Sequence, residues 1–277
     1  MTPRSTQLDK PAVLSGLFAV WEDIDRLLAG LPETRWRAPT ALPGWTVHAV
    51  VAHLIGSELT LLGHAVPDAD IDMAALPHVR NEMGAFNERW VRHLSAESGA
   101  HLRARFREVT DDRRRQLIAM SDDDWNAPAQ TPAGVDTYGR FMRIRTFDCW
   151  MHEHDIRDAV GAPASEDDLR GPGARLALDE IAASMGYVVG KLGGAPDGSR
   201  VVFELTGPLA RRIHVAVAGR GRVVDDFGGQ EPTVTIRLDG LLFTRLVGGR
   251  APSSAGIELG GDEDLAARIV EHLNYVI

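Results

Sequence analysis

Two residue types are almost missing from this chain of 277 residues: Cys149 is its one cysteine, and Lys10 and Lys191 are its two lysines. A single cysteine excludes an internal disulfide, a CxxC redox pair and a cysteine-rich zinc site, and it fits a reducing compartment such as the cytoplasm. The scarcity of lysine leaves arginine to carry nearly all basic charge, and with the high Ala and Gly content it reflects a GC-rich genome rather than a function. Positive charge is also in deficit overall. Lys and Arg number 30 against 39 Asp and Glu, giving a net charge of -9, so no global basic field is present to hold nucleic acid or an anionic membrane. No apolar run approaches the roughly 20 residues of a membrane-spanning helix. The polar start, Met1 to Lys10, lacks the charged-then-apolar form of an export signal. What is present is 44% hydrophobic content, enough for one large or two ordinary globular domains.

The first two thirds of the sequence has helical periodicity. From Pro11 to about Leu31, the residues Leu14, Leu17, Phe18, Trp21, Ile24 and Leu28 recur on one face. Thr46 is placed to cap a second helix reaching about Leu62. A long connector leads to a helical region from Asn81 to Met120, interrupted at Ser95 to Gly99 and carrying a charge run, Asp111 to Arg115, expected on a solvated face. Past a loop at Pro128 to Gly134, a helix from about Asp136 to Val160 should stop at Gly161-Ala162-Pro163, and another should run from Pro172 to Leu192. Beyond Ser199 the pattern becomes strand-like, at 200–205, 212–217 and 233–238, followed by a helix at 241–246, a strand near 257–259 and a closing helix from Asp262 to Tyr275. The expectation is an α+β chain, with a helical bundle over residues 1–195 and a smaller α/β domain over 196–277.

The helix 136–160 holds ionisable groups where apolar ones are expected. Asp148, His152 and Asp155 fall on one stripe with Phe141, Ile144, Met151 and Ala159, whereas Glu153, His154 and Arg157 point elsewhere. A buried carboxylate and imidazole are costly unless paired or coordinated, and the i,i+4 spacing of Asp148 and His152 suits two ligands of one metal ion. His53 is the best third ligand, because Ala49, Gly56, Ser57 and Thr60 around it are small and leave room for an ion and its ligand. Two His and one carboxylate form a common catalytic zinc set with an open fourth position. Ser57 could donate a hydrogen bond there, and Asp155 could orient His53 or His152 or serve only helix packing. The alternative is that these groups simply hydrogen-bond within and between helices. His48 reads as a surface residue, Cys149 as a small buried one, and 218–222 as a strand turn rather than a phosphate loop.

The run Leu42-Pro43-Gly44-Trp45-Thr46-Val47 leading to Ala52-His53-Leu54, with Asp148 four residues before His152 and then Asp155, resembles the mycothiol-dependent maleylpyruvate isomerase family. The segments 246–250 and 257–262 are similar to that family's second domain. The resemblance implies a DinB-like four-helix bundle holding zinc or another divalent metal, a sterol-carrier-like C-terminal domain, and His53, Asp148 and His152 as ligands. It departs at Asp148, where the family has Glu. It also implies that an arginine of the second domain, Arg250 or else Arg245, binds an acidic substrate. The chemistry implied is addition of a zinc-bound mycothiol thiolate to a small electrophile, ending in cis/trans isomerisation or in S-transfer, in a cytoplasmic monomer or homodimer. Two other readings stay open: a non-catalytic protein binding a metal and an apolar ligand, and a thiol-independent zinc hydrolase.

Overall fold

The computed structural model describes residues 6–68, 72–251 and 255–276. Contacts divide the chain into two compact units, Met1–Ala164 and Ser165–Ile277. Among the described residues, no helix is long and apolar enough to cross a membrane. Within the first unit the elements are α1 (Lys10–Leu28), α2 (Glu33–Trp36), α3 (Val47–Leu61), α4 (Glu82–Leu94), α5 (Gly99–Ala119), α6 (Asp122–Asn126), a hairpin of β1 (Pro128–Thr131) and β2 (Gly134–Thr137), and α7 (Tyr138–Val160). Residues 69–71, in the middle of the connector before α4, lie outside the described ones.

Local chemistry sets the helix ends. Thr46, Asn81, Ser98 and Thr137 each accept a backbone N–H of the first turn, of α3, α4, α5 and α7 respectively. Gly161, with φ +66°, closes α7 in the left-handed conformation that a Cβ would strain. Four long helices form a closed ring in which α1 touches α5 and α7, and α3 touches the same two, with α4 laid against α3. Leu17, Val20, Trp21 and Ile24 of α1 meet Val50, Val51 and Leu54 of α3, Leu102 and Phe106 of α5 and Met142 of α7 in the core, all essentially buried. Each such large side chain contributes on the order of 1.5–3 kcal/mol.

Three expectations are corrected here. The loop at 128–134 is mostly hairpin, with Pro128 opposite Thr137 and Thr131 opposite Gly134. The charge run is not wholly solvated, because Arg113 is 0% exposed. Helix α7 is not amphipathic in the usual sense: Glu153, His154 and Arg157 are buried as well, while Phe141, Ile144 and Ala159 are only half-buried. A helix wheel assumes one wet face, and α7 is covered by α1, α3, α6 and the hairpin together.

The second unit contains α8 (Glu166–Leu169), α9 (Pro172–Tyr187) continued by a π-helical turn at Val188–Leu192, β3 (Arg200–Thr206), β4 (Arg211–Ala218), β5 (Arg220–Val224), β6 (Val234–Asp239), α10 (Gly240–Val247), β7 (Glu258–Gly261) and α11 (Glu263–Glu271). The sheet order is β5-β4-β3-β6-β7, antiparallel except for the parallel pair β3 and β6. Phe203 stands opposite both Ile213 and Ile236. Alternating residues such as Val201, Phe203, Val215, Ile236 and Leu238 join Phe243 and Val247 of α10 and Leu265 and Ile269 of α11 in a buried core. Helix α9 packs on β4 and β5 within this unit. The strand β5 arises from the second half of the stretch read as a turn, since only Gly219 makes the reversal.

Candidate metal centre

His53 projects from α3 and Asp148 and His152 from successive turns of α7, so two helices that touch along the ring supply all three groups. Their donor atoms lie within 4.8 Å of one another. His53 Nε2 is 3.3 Å from Asp148 Oδ2, and His152 Nε2 is 3.5 Å from Asp148 Oδ1. Those separations are long for charge-assisted hydrogen bonds, which run about 2.7–2.9 Å. Each is comparable to the separation of two ligand atoms on an ion bound at about 2.0–2.1 Å, about 3.3–3.4 Å, with His53 facing one oxygen of Asp148 and His152 the other. The residues present therefore fit a divalent cation on geometry and on donor chemistry.

The outer contacts of the two imidazoles differ. His152 Nδ1 is 2.9 Å from Asp155 Oδ2, a carboxylate that fixes the tautomer and turns Nε2 toward Asp148. Asp155 thus holds His152 rather than His53. His53 Nδ1 is buried without a hydrogen-bond partner. Burial pushes the His53 imidazole down despite Asp148 beside it. Burial acts the same way on His152, but the Asp148 and Asp155 carboxylates outweigh it and raise that imidazole. At Asp148, burial alone would raise the carboxyl, and the Arg145 guanidinium and His152 overcome this and hold it well below the usual carboxylate range. The Asp148 side chain is 32% exposed, the most open of the three, so the group faces solvent on its side.

Several residues that sequence reasoning passed over complete the site. The half-buried Trp45 indole lies over both imidazoles, with ring centroids 5.3 Å from His53 and 6.2 Å from His152. Its Nε1 faces the buried carboxylate of Glu88 at 3.4 Å, and Glu88 also meets His78 Nε2 at 3.2 Å and accepts from Arg92 Nε at 2.6 Å. Trp45 sits inside the Leu42 to Val47 motif, which was the available signal. Glu58, the one acidic residue of α3, is buried and paired with Arg113 and Arg145. Its isolation in an apolar helix was a signal as well.

Of the remaining predicted residues, Ser57 is buried one turn beyond His53. Two of the small residues around His53 serve another purpose than room for an ion. A Cβ on Gly56 would lie 2.2 Å from the Trp90 ring, and Thr60 Oγ1 accepts from Trp90 Nε1 at 3.1 Å, so both make space for an aromatic of α4. His48 is 3% exposed rather than on the surface, with Nε2 2.9 Å from the Glu97 carbonyl oxygen. Cys149 is buried and its thiol is pushed up to about 12 by that burial, which leaves it no nucleophile. Arg245 lies in the last turn of α10 in the second unit, and Arg250, three residues past that helix, donates from Nη1 to the Gly248 carbonyl at 2.6 Å.

Comparison with known proteins follows the same division. Residues 17–157 match the family model described as the mycothiol maleylpyruvate isomerase N-terminal domain, and residues 175–268 match the MDMPI C-terminal domain of the same family. Two uncharacterised proteins of Mycobacterium tuberculosis, from two strains, are each 28% identical over 163 residues, covering 57% of this chain and 61% of their own length. The match thus spans about three fifths of those relatives. The crystal structure of the mycothiol-dependent maleylpyruvate isomerase superposes with a TM-score of 0.60 at 18% identity, over 91% of this chain and 93% of that one, and a mutant of that enzyme does so equally. At that identity the likeness speaks for the fold: a DinB-like helical domain followed by a C-terminal domain with a sheet.

Proposed function

Because the chain belongs to the mycothiol maleylpyruvate isomerase family, we propose that it is a metal- and mycothiol-dependent enzyme acting on a small electrophilic substrate in the cytoplasm. The observation that carries this reading is the trio His53, Asp148 and His152, with donor atoms within 4.8 Å and one side open. A divalent ion such as zinc held there supplies the Lewis acidity that turns a thiol into a thiolate near neutral pH. Around it, the protein's groups have separate tasks. Asp155 keeps the His152 tautomer that directs Nε2 inward, and the Trp45 indole shields both imidazoles from water. Ser57, buried one turn beyond His53 on the same helix, hydrogen-bonds the thiol cofactor. With a cis-enedioate, addition, bond rotation and elimination give isomerisation. With an epoxide the thiolate would open the ring, leaving an alkoxide that takes up a proton, and with a halide it would displace halide ion, so the same nucleophile ends in S-transfer.

Two observations favour this over a non-catalytic binding protein. Asp155 is engaged with His152 and does not close the metal shell as a fourth ligand. In the second unit Phe203, Phe243, Val247, Leu265 and Ile269 are buried core side chains, and a cavity of about 300 Å³ in the same unit is lined by Arg200, Asp226 and Gln230 as well as by Val217 and Phe227, which does not suit a purely apolar ligand. Metal content by elemental analysis of wild type and His152→Ala, with calorimetric titration of mycothiol into each, tests the proposal. The expected result is metal in the wild type, its loss in the variant, and thiol binding only to the wild type. A wild type that takes up no metal after incubation with zinc would overturn the proposal, and turnover without any thiol would point to hydrolysis instead.

A further inference from the structure

The three ligands do not account for the charges buried behind them. Glu58 on α3, Arg113 on α5 and Arg145 on α7 are 1%, 0% and 6% exposed. Arg113 Nε donates to Glu58 Oε2 at 2.9 Å, while Arg145 Nε and Nη2 both donate to Glu58 Oε1, at 3.1 and 2.8 Å. The remaining arm of Arg145, Nη1, donates to Oδ2 of Asp148. Charge therefore alternates along Arg113, Glu58, Arg145 and Asp148, across three helices, and ends on a metal ligand. Buried ionic groups of this kind are often replaceable by apolar side chains without loss of stability, so stability alone is a weak reason for their presence.

What the chain of charges does accomplish is to fix one carboxylate. A guanidinium is a rigid fork, and with two nitrogens committed to Glu58 its third can meet Asp148 in one place only. That contact occupies Oδ2, the oxygen also 3.3 Å from His53 Nε2, and leaves Oδ1, 3.5 Å from His152 Nε2, as the oxygen without a guanidinium. We propose that Arg145, anchored by Glu58 and Arg113, is a positioning residue that restrains Asp148 to one-oxygen ligation and so preserves an open place on the ion for the thiol. The inference rests on the metal reading above and extends it to residues that touch neither ion nor substrate.

Cobalt titration of the full-length protein, followed by visible absorption, tests it. Four-coordinate cobalt absorbs far more strongly than cobalt with five or six ligands, so the spectrum reads denticity independently of activity. Arg145→Gln retains an amide donor but neither the charge nor the fork, and Glu58→Gln retains shape while releasing Arg145. The expected result is a strong four-coordinate spectrum for wild type, and for Arg145→Gln a weaker spectrum with about 10-fold or greater loss of affinity, the size typical of a lost outer-shell partner. Glu58→Gln should move in the same direction by less. A folded Arg145→Gln protein with wild-type spectrum and affinity, even if its Tm is lower, would overturn the inference and leave the metal reading intact. Should Arg145→Gln not fold, the same criterion applied to Glu58→Gln decides. A wild type that binds no cobalt overturns both.

Discussion

His152 and His53 are the same kind of side chain on the same centre, yet their surroundings drive them apart. Asp148 and Asp155 raise His152 above its ordinary value against the pull of burial, whereas burial prevails at His53. A raised folded value means that the His152 contribution to the stability of the metal-free protein is complete below about pH 6.5 and fades as pH rises through the raised value. His53 has the opposite sign: its contribution is complete above about pH 6.5 and fades as pH falls toward its lowered value. A metal ion at this centre would have to displace the proton from His152, so zinc affinity should fall as pH drops through that raised value. Competition titration with a chromophoric chelator on both sides of that value measures this, and a flat profile would contradict it. Asp155→Asn should cost about 10–100-fold in affinity and move the fall to lower pH, since the imidazole loses its carboxylate. The composition and spacing of the sequence pointed to these residues because ionisable groups on a core stripe stand out. They could not point to Arg145, since an arginine in a helix normally reaches solvent, and only burial reveals that this one does not.

At the scale of the element, close packing decides more than propensity. Gly56 of α3 is there because Trp90 of α4 occupies the space its side chain would fill. Gly56→Ala should therefore lower stability by about 1–3 kcal/mol through overpacking, read as a fall in Tm, and a neutral outcome would mean that α4 yields easily. The loop before α3 carries Trp45, held against Glu88 and lying over the imidazoles. Trp45→Ala should open that side of the centre, so a chelator would strip the metal faster than from wild type; equal stripping rates would show that the indole does not guard it. The start of α3 was legible because Thr46 announces its cap, the starts of α4 and α7 were read within two residues, near Asn81 and Asp136, and the break between α4 and α5 was legible in Ser95 to Gly99. The hairpin at 128–137 was not, because four-residue strands containing Pro, Gly and Asp have no period to detect. Strand β5, Arg220–Val224, was hidden likewise by its Gly and Arg, and pairing with β4 is what makes it a strand.

For the whole molecule, a metal ion at this centre would couple distant parts of the chain. His53 and Asp148 lie 95 residues apart in sequence, so an ion between them links α3 to α7 and should act as a folding ligand. Zinc at a hundredfold excess over its Kd should add about 2.7 kcal/mol, which at roughly 2–4 °C per kcal/mol for a domain of this size raises Tm by about 5–10 °C. Differential scanning fluorimetry with zinc and with chelator checks this, and an unchanged Tm would count against a preformed site. The sequence by itself determined the order of the long helices and of strands β3, β4, β6 and β7, the acidic charge, the exclusion of disulfide chemistry and the three candidate ligands, because periodicity, caps and residue type are local properties. Tertiary structure alone decided what surrounds those ligands: the indole across both imidazoles, the choice of His152 over His53 by Asp155, the buried charges ending at Asp148, and the packing of α9 on the sheet. Each depends on which face of one element meets another, and neighbours in space carry no signature in a single chain read end to end.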